Sequence, residues 1–88
     1  MFKAKIITPS GDEFVREVER LSVPTTDGVR TIMAHHIDAV MSIQEGKVLF
    51  IGDKERETMR VSDGIFQFSD NEARLLVNNM EEPVAEVE

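Results

Sequence analysis

Two adjacent histidines and a nearby carboxylate, His35, His36 and Asp38, form the one cluster in this sequence that suggests a metal site. In an extended segment neighbouring side chains point to opposite faces, so His35 and His36 cannot both bind one ion without a sharp turn. The chain has no cysteine, which removes thiolate ligands, thiolate nucleophiles and disulfides. We therefore predict no metal site. A metal-dependent, cupin-like enzyme that uses the two histidines is kept as an alternative.

The acidic residues are plentiful, but none is paired in a way that would suit acid–base catalysis. Glu13, Glu17 and Glu19 share one face of an extended segment, where a solvated strand edge that discourages unwanted pairing is the simpler interpretation. The sequence shows no glycine-rich phosphate loop and no Ser-His-Asp arrangement. It therefore predicts no catalysis by this chain alone and no cofactor.

Length and charge limit the classes of partner. Eighty-eight residues make one domain. Seventeen acidic and ten basic side chains give a net charge of −7 with the histidines neutral, which disfavours binding to nucleic acid or to anionic headgroups. The arginines are scattered, and no apolar run approaches the roughly 20 residues that a spanning helix needs. We predict no nucleic-acid partner and no direct membrane insertion.

Most of the chain alternates apolar and polar residues with a period of two, which is typical of half-buried strands. Turn-forming residues interrupt the pattern about every 8–12 residues, as in small antiparallel sandwiches and barrels. We predict an all-β fold, a small antiparallel β-sandwich of about eight to ten short strands. Residues 1–80 are expected to form the sandwich, and the acidic residues 81–88 a flexible tail.

Three local patterns add detail. Between Glu13 and Val23 the apolar residues change parity, which predicts a bulge or bend near Glu19-Arg20. Asp63-Gly64, between two apolar runs, predicts a short hairpin. Residues 69–72 have the composition of a helix capping box, yet residues 73–77 alternate as in a strand, so helix and strand both stay open for this segment.

Several apolar residues on the predicted strands are expected in the core. The first set is Ile37, Ala39 and Ile43. The second set is the methionines, which fill irregular gaps in cores: Met33, Met41 and Met59. An exposed Met41 on a sheet face would instead suit a docking surface.

The segment from Gly28 to Gly46 resembles the signature of the F-type ATP synthase epsilon subunit. In that family a glycine-rich turn is followed by an isoleucine, a Pro-Gly-His-Ala-Pro stretch, an apolar strand and a closing glycine. Gly28, Ile32, His36 and Gly46 fall at the family spacing without a gap. The opening strand and turn of the chain also agree with the family pattern.

The resemblance extends towards the end of the chain, with some departures. Residues 61–66 are similar to the family's turn before its penultimate strand, and residues 74–79 to its last strand. Thr31 stands where the family has a glycine, Ala34-His35 where it has Pro-Gly, and Asp38 where it has a proline. Because glycine permits backbone conformations that larger residues resist, the loop over these positions is expected to differ.

The resemblance implies a non-catalytic subunit of the rotor stalk in an F-type proton-translocating ATP synthase, a hetero-oligomeric complex. Such a subunit couples rotation of the membrane c-ring to the gamma subunit, at the cytoplasmic face of the bacterial plasma membrane. The implied gamma contacts are Ser10, His36 and Met41. The implied c-ring contacts are Thr26, Asp27, Gly28, Val29 and Arg30.

Typical family members continue into a C-terminal helical hairpin that carries an inhibitory switch, whereas this sequence stops at Glu88. We therefore expect coupling without hairpin-type inhibition of ATP hydrolysis. The alternative from another class is a free-standing β-sandwich module that binds a small ligand or a peptide. Such a module would be a soluble monomer with an apolar pocket and no stable association with gamma.

Overall fold

The structure, a computed structural model, describes residues 1–86 of the 88-residue chain. Within these residues the regular structure is all strand, which confirms the predicted all-β class, and no helix has the length and apolar character that a bilayer crossing needs. The strands are β1 (Phe2–Ile7), β2 (Glu13–Val18), β3 (Arg20–Thr25), β4 (Gly28–Met33), β5 (Ala39–Ile43), β6 (Gly46–Ile51), β7 (Arg56–Val61), β8 (Gly64–Ser69), β9 (Glu72–Val77) and β10 (Val84–Ala85).

The strands form one sheet that folds over into two layers. Their hydrogen-bonded order is β10-β7-β6-β3-β5-β8-β9-β1-β2, with β4 paired to β3 beside this path. The fold-over lies between β3 and β5, which pair at Thr25 and Ile43. One layer therefore contains β4, β3, β6, β7 and β10, and the other contains β5, β8, β9, β1 and β2. The β1–β9 pair is parallel, and the other strand pairs are antiparallel as predicted.

The core lies between the layers and is filled by alternate residues of the facing strands. Its largest buried side chains are phenylalanines, each of which contributes about 2–3 kcal/mol by leaving water. The rings of Phe2 and Phe68 meet edge to face, with centroids 5.6 Å apart. Because side chains alternate along a strand, the residues between these core positions point outward and form the two outer faces.

The open edge of the sandwich is closed by contacts from β2 to the opposite layer. The rings of Phe14 and Phe50 pack edge to face, with centroids 5.4 Å apart. Arg16 Nε donates to Glu57 Oε1 at 2.9 Å, and its guanidinium carbon lies 4.1 Å from the centroid of the Phe14 ring. The Arg16 side chain is 41% exposed, so this ion pair contributes only about 0.2–1 kcal/mol and the ring packing contributes more.

The predicted change of direction near Glu19-Arg20 is confirmed. β2 ends at Val18 in one layer, and β3 begins at Arg20 in the other. Glu19 N donates to Ile51 O at 2.7 Å across the bend.

Residues 73–77, for which the sequence left helix and strand both open, form part of the strand β9. Alternate side chains of this segment enter the core, and their burial outweighs the local helix propensity.

The hairpin predicted at Asp63-Gly64 is wrong. β7 pairs with β6 and β10, whereas β8, which starts at Gly64, lies in the other layer between β5 and β9. The connection at Ser62-Asp63 therefore crosses from one layer to the other.

A hairpin does join β8 to β9, and its turn residues Asp70 and Asn71 have φ of 54° and 56°. This pair of left-handed residues is typical of the tight turn that matches strand twist.

The core position predicted for Ile37 is wrong. Its side chain is 79% exposed, while Ala39 is half-buried and Ile43 is buried. β5 begins at Ala39, so Ile37 belongs to the preceding loop, where the strand alternation does not apply. His35 in that loop has a φ of 64°, which breaks the extended run before β5 starts.

The three methionines differ in burial. Met59 is buried in the core, and Met41 is half-buried against it. Met33 is exposed, so its predicted core position is wrong. It lies at the end of β4, an edge strand whose outward side has no layer above it in the described part of the chain.

The C-terminal segment lies along the edge of β7. Val84 and Ala85 pair with Thr58 and Glu57, and the amide of Glu86 donates to Arg56 O at 2.8 Å. The division of the chain at residue 80 and the flexibility of residues 81–88 stay predictions. Val87 and Glu88 lie outside the described residues.

Gly64 is expected to tolerate no side chain. A Cβ at this position would overlap Leu76 O, in the backbone of the neighbouring strand. We expect Gly64→Ala to lower the free energy of unfolding in urea by about 3 kcal/mol. The control is Gly11→Ala, where a Cβ meets open space but φ is +96°, and which should cost about 1–2 kcal/mol. Equal losses in the two variants would contradict the close approach of β8 and β9.

Candidate partner-binding surfaces

The outward side of the layer that contains β5, β8, β9 and β1 carries a group of apolar side chains. The strand register places Ile65 opposite Leu76, and Leu76 opposite Ile7, in one row across the sheet. Val40 lies on β5 beside this row and is 70% exposed, while Ile65 and Leu76 are about half exposed. We call Ile7, Val40, Ile65 and Leu76 the apolar face.

Charged residues continue the same side of the sheet beyond the apolar face. Lys3 lies opposite Glu17 on β2 and opposite Glu72 on β9, so opposite charges face each other across both strand pairs. Arg74 and Glu72 form an ion pair on β9. An exposed apolar patch bordered by charged residues has the composition of a protein–protein interface.

Ser10, a predicted gamma contact, lies in the turn between β1 and β2, at the Ile7 end of the apolar face. Its side chain is exposed, and its hydroxyl donates to Asp12 Oδ2 at 3.3 Å and shares a hydrogen bond with Thr8 Oγ1 at 2.9 Å. Thr8 is buried and accepts from the Asp12 amide at 3.2 Å. These bonds hold the turn in one shape and present Ser10 at its tip.

An open surface cleft adjoins this turn. It has a volume of about 330 Å³ and is lined by Ile7, Thr8, Pro9, Leu76, Val77 and Asn78. The cleft therefore continues the apolar face towards Ser10.

His36, another predicted gamma contact, lies at the opposite end of this layer, in the loop before β5. Its ring meets Phe68 edge to face at 5.8 Å, and Nδ1 is 2.7 Å from Ile37 O. His35 is exposed, and its amide donates to Asn71 Oδ1 at 2.8 Å. The His36 ring thus packs on Phe68, whereas the His35 side chain is exposed to solvent. Within residues 1–86 no three His, Cys, Asp or Glu side chains are grouped in a way that could hold a metal ion.

Met41, the third predicted gamma contact, lies on the inner side of β5. It pairs with Phe66, and its half-buried side chain packs against the core. Strand spacings place Ser10 and His36 roughly 20 Å apart, at opposite ends of the layer. The structure therefore does not gather Ser10, His36 and Met41 into one site. The turn that carries Ser10 adjoins the apolar face, His36 packs on the buried Phe68 at the other end of the layer, and Met41 lies beneath the face.

The predicted c-ring contacts, residues 26–30, form the exposed turn between β3 and β4 and the start of β4. The turn is built on Thr25, which is buried and whose hydroxyl donates to Gly28 O at 2.6 Å and accepts from the Asp27 amide at 3.2 Å. Gly28 has a φ of 106°, which a side chain would strain. The turn presents the acidic Asp27 and the basic Arg30 to solvent.

The turn lies at the same end of the molecule as Ser10. Thr26 N donates to Ser42 O at 3.2 Å, which joins the turn to β5. Ser42 in turn lies opposite Ile65 on β8, so Ile65 of the apolar face is one strand away from the strand that the turn contacts. Sequence reasoning missed the apolar face, because its residues become neighbours only through the register of β5, β8, β9 and β1.

The fold is a small β-sandwich, and its exposed apolar face has the composition of a protein–protein interface. Residues 1–83 match the family described as ATP synthase, Delta/Epsilon chain, beta-sandwich domain, and the chain belongs to this family. The ATP synthase epsilon chain of Chlorobium limicola is 34% identical over 80 residues, which cover 90% of this chain and 91% of the relative. The epsilon chain of Alkaliphilus oremlandii is 30% identical over 82 residues, which cover 93% of this chain and 61% of the relative.

Two solved structures have the same fold. One is the central stalk and c-ring of the Tetrahymena thermophila mitochondrial ATP synthase, with a TM-score of 0.75, 14% identity, and coverage of 91% of this chain and 65% of that chain. The other is the Euglena gracilis mitochondrial ATP synthase with OSCP, F1 and c-ring, with a TM-score of 0.78, 14% identity, and coverage of 93% and 51%. Family membership confirms the predicted resemblance and the prediction that the chain is a subunit and not an enzyme by itself.

Thr25 is expected to hold the exposed turn in place. We expect Thr25→Val to lower the free energy of unfolding by about 1–2 kcal/mol, because the buried turn loses a donor and an acceptor. Hydrogen exchange of the Asp27 amide, measured by NMR, should become faster. The control is Thr31→Val, at an exposed position whose hydroxyl shares a 3.1 Å hydrogen bond with Ser22. Unchanged exchange at Asp27 would show that the turn does not depend on Thr25.

Proposed function

We propose that the chain is a non-catalytic rotor subunit of an F-type proton-translocating ATP synthase, and that it couples rotation of the c-ring to the gamma subunit. Membership in the ATP synthase delta/epsilon family over residues 1–83 is the observation that carries this proposal. The epsilon-chain names of the relatives support it, as does a fold shared with a chain from a central stalk and c-ring structure.

The proposed gamma contact is the apolar face, with Ser10 and His36 at its two ends and Met41 supporting it from below. Apolar side chains that are half or more exposed become more stable when a partner removes them from water, by about 25 cal/mol per Å². The separation of Ser10 and His36 matches a contact that extends along the whole layer. Stable interfaces of standard size cover about 800 Å² on each partner, which requires a face of this extent.

The proposed c-ring contact is the turn at residues 26–30. It is exposed, it lies at one end of the sandwich, and it carries Asp27 and Arg30, whose opposite charges can fix the orientation of a docked loop. Contact through this turn would hold the acidic chain near the membrane without lipid contacts. We therefore place the chain at the cytoplasmic face of the bacterial plasma membrane, bound there through the complex.

A rotor subunit of this kind has to be stiff. Torque that enters at the turn reaches β5 through the Thr25–Ile43 pairing, which consists of the Thr26 N to Ser42 O and Gln44 N to Pro24 O backbone bonds. β5 carries Val40 of the apolar face on its outward side. The close-packed core beneath β5 resists compression, so little of the motion would be lost between the two contacts.

We also propose that these residues couple rotation without inhibiting ATP hydrolysis. Residues 1–86 contain no helix, so the described part of the chain holds nothing that could extend into the catalytic part of the enzyme as a helical element.

The gamma contact is tested by Ile65→Asp, which places a charge in the middle of the apolar face. We expect the variant's affinity for purified gamma to fall by at least about tenfold, because a carboxylate would be buried without a partner. The matched control is Val84→Asp, at an exposed valine on the opposite layer, and it should leave the affinity unchanged. Biolayer interferometry gives both Kd values, and urea unfolding checks that both variants are folded.

Equal affinities for the two variants would contradict the assignment of the apolar face. Recovery of the wild-type chain only from free cytosol, and never with detergent-solubilised synthase, would favour the free-standing binding module instead.

The detergent-solubilised synthase also tests whether the chain inhibits ATP hydrolysis. Adding the chain to synthase stripped of its own epsilon subunit should leave ATP hydrolysis active, and strong nucleotide-reversible inhibition would contradict the coupling-only role.

The c-ring contact is tested by a cysteine at Asp27, since the chain has no other cysteine. We expect Asp27→Cys to form a disulfide under mild oxidation with a cysteine placed in the exposed loop of the c subunit. The control is Lys54→Cys, at an exposed site in the turn between β6 and β7, at the other end of the sandwich. Cross-linking is read on a non-reducing gel. Equal yields from both positions would rule out docking through the turn.

A further inference from the structure

The outward side of the layer that contains β3, β4, β6 and β7 has a charge opposite to that of the whole chain. Its outward positions include four of the chain's ten basic residues: Arg20, Lys47, Arg56 and Arg60. In the described chain no acidic residue takes an outward position on these four strands, although acidic residues outnumber basic ones by seventeen to ten. The one acidic residue within β7, Glu57, points inward to Arg16.

The strand register brings these positive charges together. Lys47 on β6 lies directly opposite Arg60 on β7, and like charges in this position destabilise a strand pair. Ile51 lies between Arg20 and Arg56, so a second pair of cations flanks one apolar residue. Such an arrangement becomes favourable when carboxylates are brought against it.

Apolar side chains occupy the space between the cations. Leu49 and Ile51 are half-buried on β6 and point outward, as the burial pattern of the strand shows. We call the outward residues Arg20, Lys47, Leu49, Ile51 and Arg60 the basic face. Its mixture of positive and apolar groups matches a segment in which carboxylates and apolar side chains share one side.

A segment of this kind already lies along one edge of the basic face. Residues 81–86 read Glu-Glu-Pro-Val-Ala-Glu, and Val84–Ala85 pair with β7. Glu86 Oε2 lies 3.2 Å from Arg56 Nε, and the amide of Glu81 donates to Arg60 O at 3.0 Å. Glu45 and Glu81 line a small cleft together with Arg60. The same chemistry continues across β6 and β3, where the cations are Lys47 and Arg20.

We propose that the basic face binds an acidic amphipathic segment of another protein chain. Its carboxylates would lie against Arg20 and Lys47, and its apolar side chains against Leu49 and Ile51. A lipid surface fits less well, because a wide anionic bilayer would face much of the chain, whose net charge is −7, whereas a short acidic segment would meet the basic face alone. A second copy fits less well for the same reason, and its own acidic segment is already paired with β7. The basic face and the apolar face lie on opposite layers, so this proposal does not depend on the contact with gamma. None of residues 26–30, the proposed c-ring contact, belongs to the basic face.

The first experiment uses a synthetic amphipathic helical peptide with leucines at helical spacing and glutamates elsewhere. NMR titration of the full chain should move the amide signals of β3 and β6. We expect the double variant Arg20→Glu/Lys47→Glu to weaken binding by about tenfold or more. The control, Lys3→Glu/Lys5→Glu, makes the same change in net charge on the opposite layer and should keep the affinity within about twofold. Because Lys3→Glu faces Glu17 and Glu72, urea unfolding first checks that this control is folded. A peptide with lysines in place of the glutamates should not bind.

The test variant should also remain folded, because Lys47→Glu replaces a like-charge pair with an opposite-charge pair opposite Arg60. Its stability to urea should equal or exceed that of the wild type. Equal weakening in the two double variants would show attraction to net charge alone and would overturn the proposal. Failure of the acidic peptide to move signals on β3 and β6 would overturn it as well.

The second experiment identifies the natural occupant. A photoreactive amino acid at Leu49, in the chain expressed in its own cells, should cross-link to a protein segment rich in Asp, Glu and apolar residues, as read by mass spectrometry. The cross-link should disappear with Arg20→Glu/Lys47→Glu and persist with Lys3→Glu/Lys5→Glu. Cross-links to lipid, to a second copy of this chain or to a basic segment, or no cross-link at all, would overturn the proposal.

Discussion

One sheet has to fold over on itself in this chain, and the junction between β3 and β5 is where it does so. Thr25 pairs with Ile43 through two backbone bonds, Gln44 N to Pro24 O at 2.8 Å and Thr26 N to Ser42 O at 3.2 Å, and this pairing joins the two layers there. A domain of this size buries only roughly 60–65% of the surface of its unfolded chain. A sheet left open at this junction would expose the inner side of both layers, and too little buried area would remain to offset the entropy of folding.

The fold-over also decides where function can lie. Inward positions of both layers are taken up by the core, so the outward positions are left for partners, and the two outward faces differ in chemistry. Val40, Ile65 and Leu76 make one of them apolar, whereas Arg20 and Lys47 make the other basic. A slip of one residue in the register would exchange inward and outward side chains. The packing that stabilises the fold therefore also fixes the composition of both surfaces.

Structural features that depend on residues close in sequence are predicted correctly, whereas features that depend on the pairing of distant strands are not. Alternation and turn residues predict the all-β class, and the parity change predicts the bend at Glu19. Asp63-Gly64 has the composition of a hairpin turn, but no local signal tells whether the next strand lies in the same layer. Ile37 continues the alternation of β5, yet the strand begins two residues later. The apolar face depends on the parallel pairing of β1 with β9, two segments about 70 residues apart in sequence, and so lies beyond any short pattern.

The same junction gives the proposed rotor function a mechanical basis. The turn at residues 26–30 follows β3 directly, and the buried Thr25 hydroxyl ties it down through Gly28 O. From there the backbone bond to Ser42 O leads into β5, and β5 carries Val40 on the apolar face. The path between the two proposed contacts thus follows strand backbone and hydrogen bonds and does not depend on flexible side chains. A load applied at the turn would pull along strands that are paired to their neighbours, and shearing many hydrogen bonds at once is harder than bending a loop. The short connection would let a domain of this size pass torque between the two proposed contacts with little local unfolding.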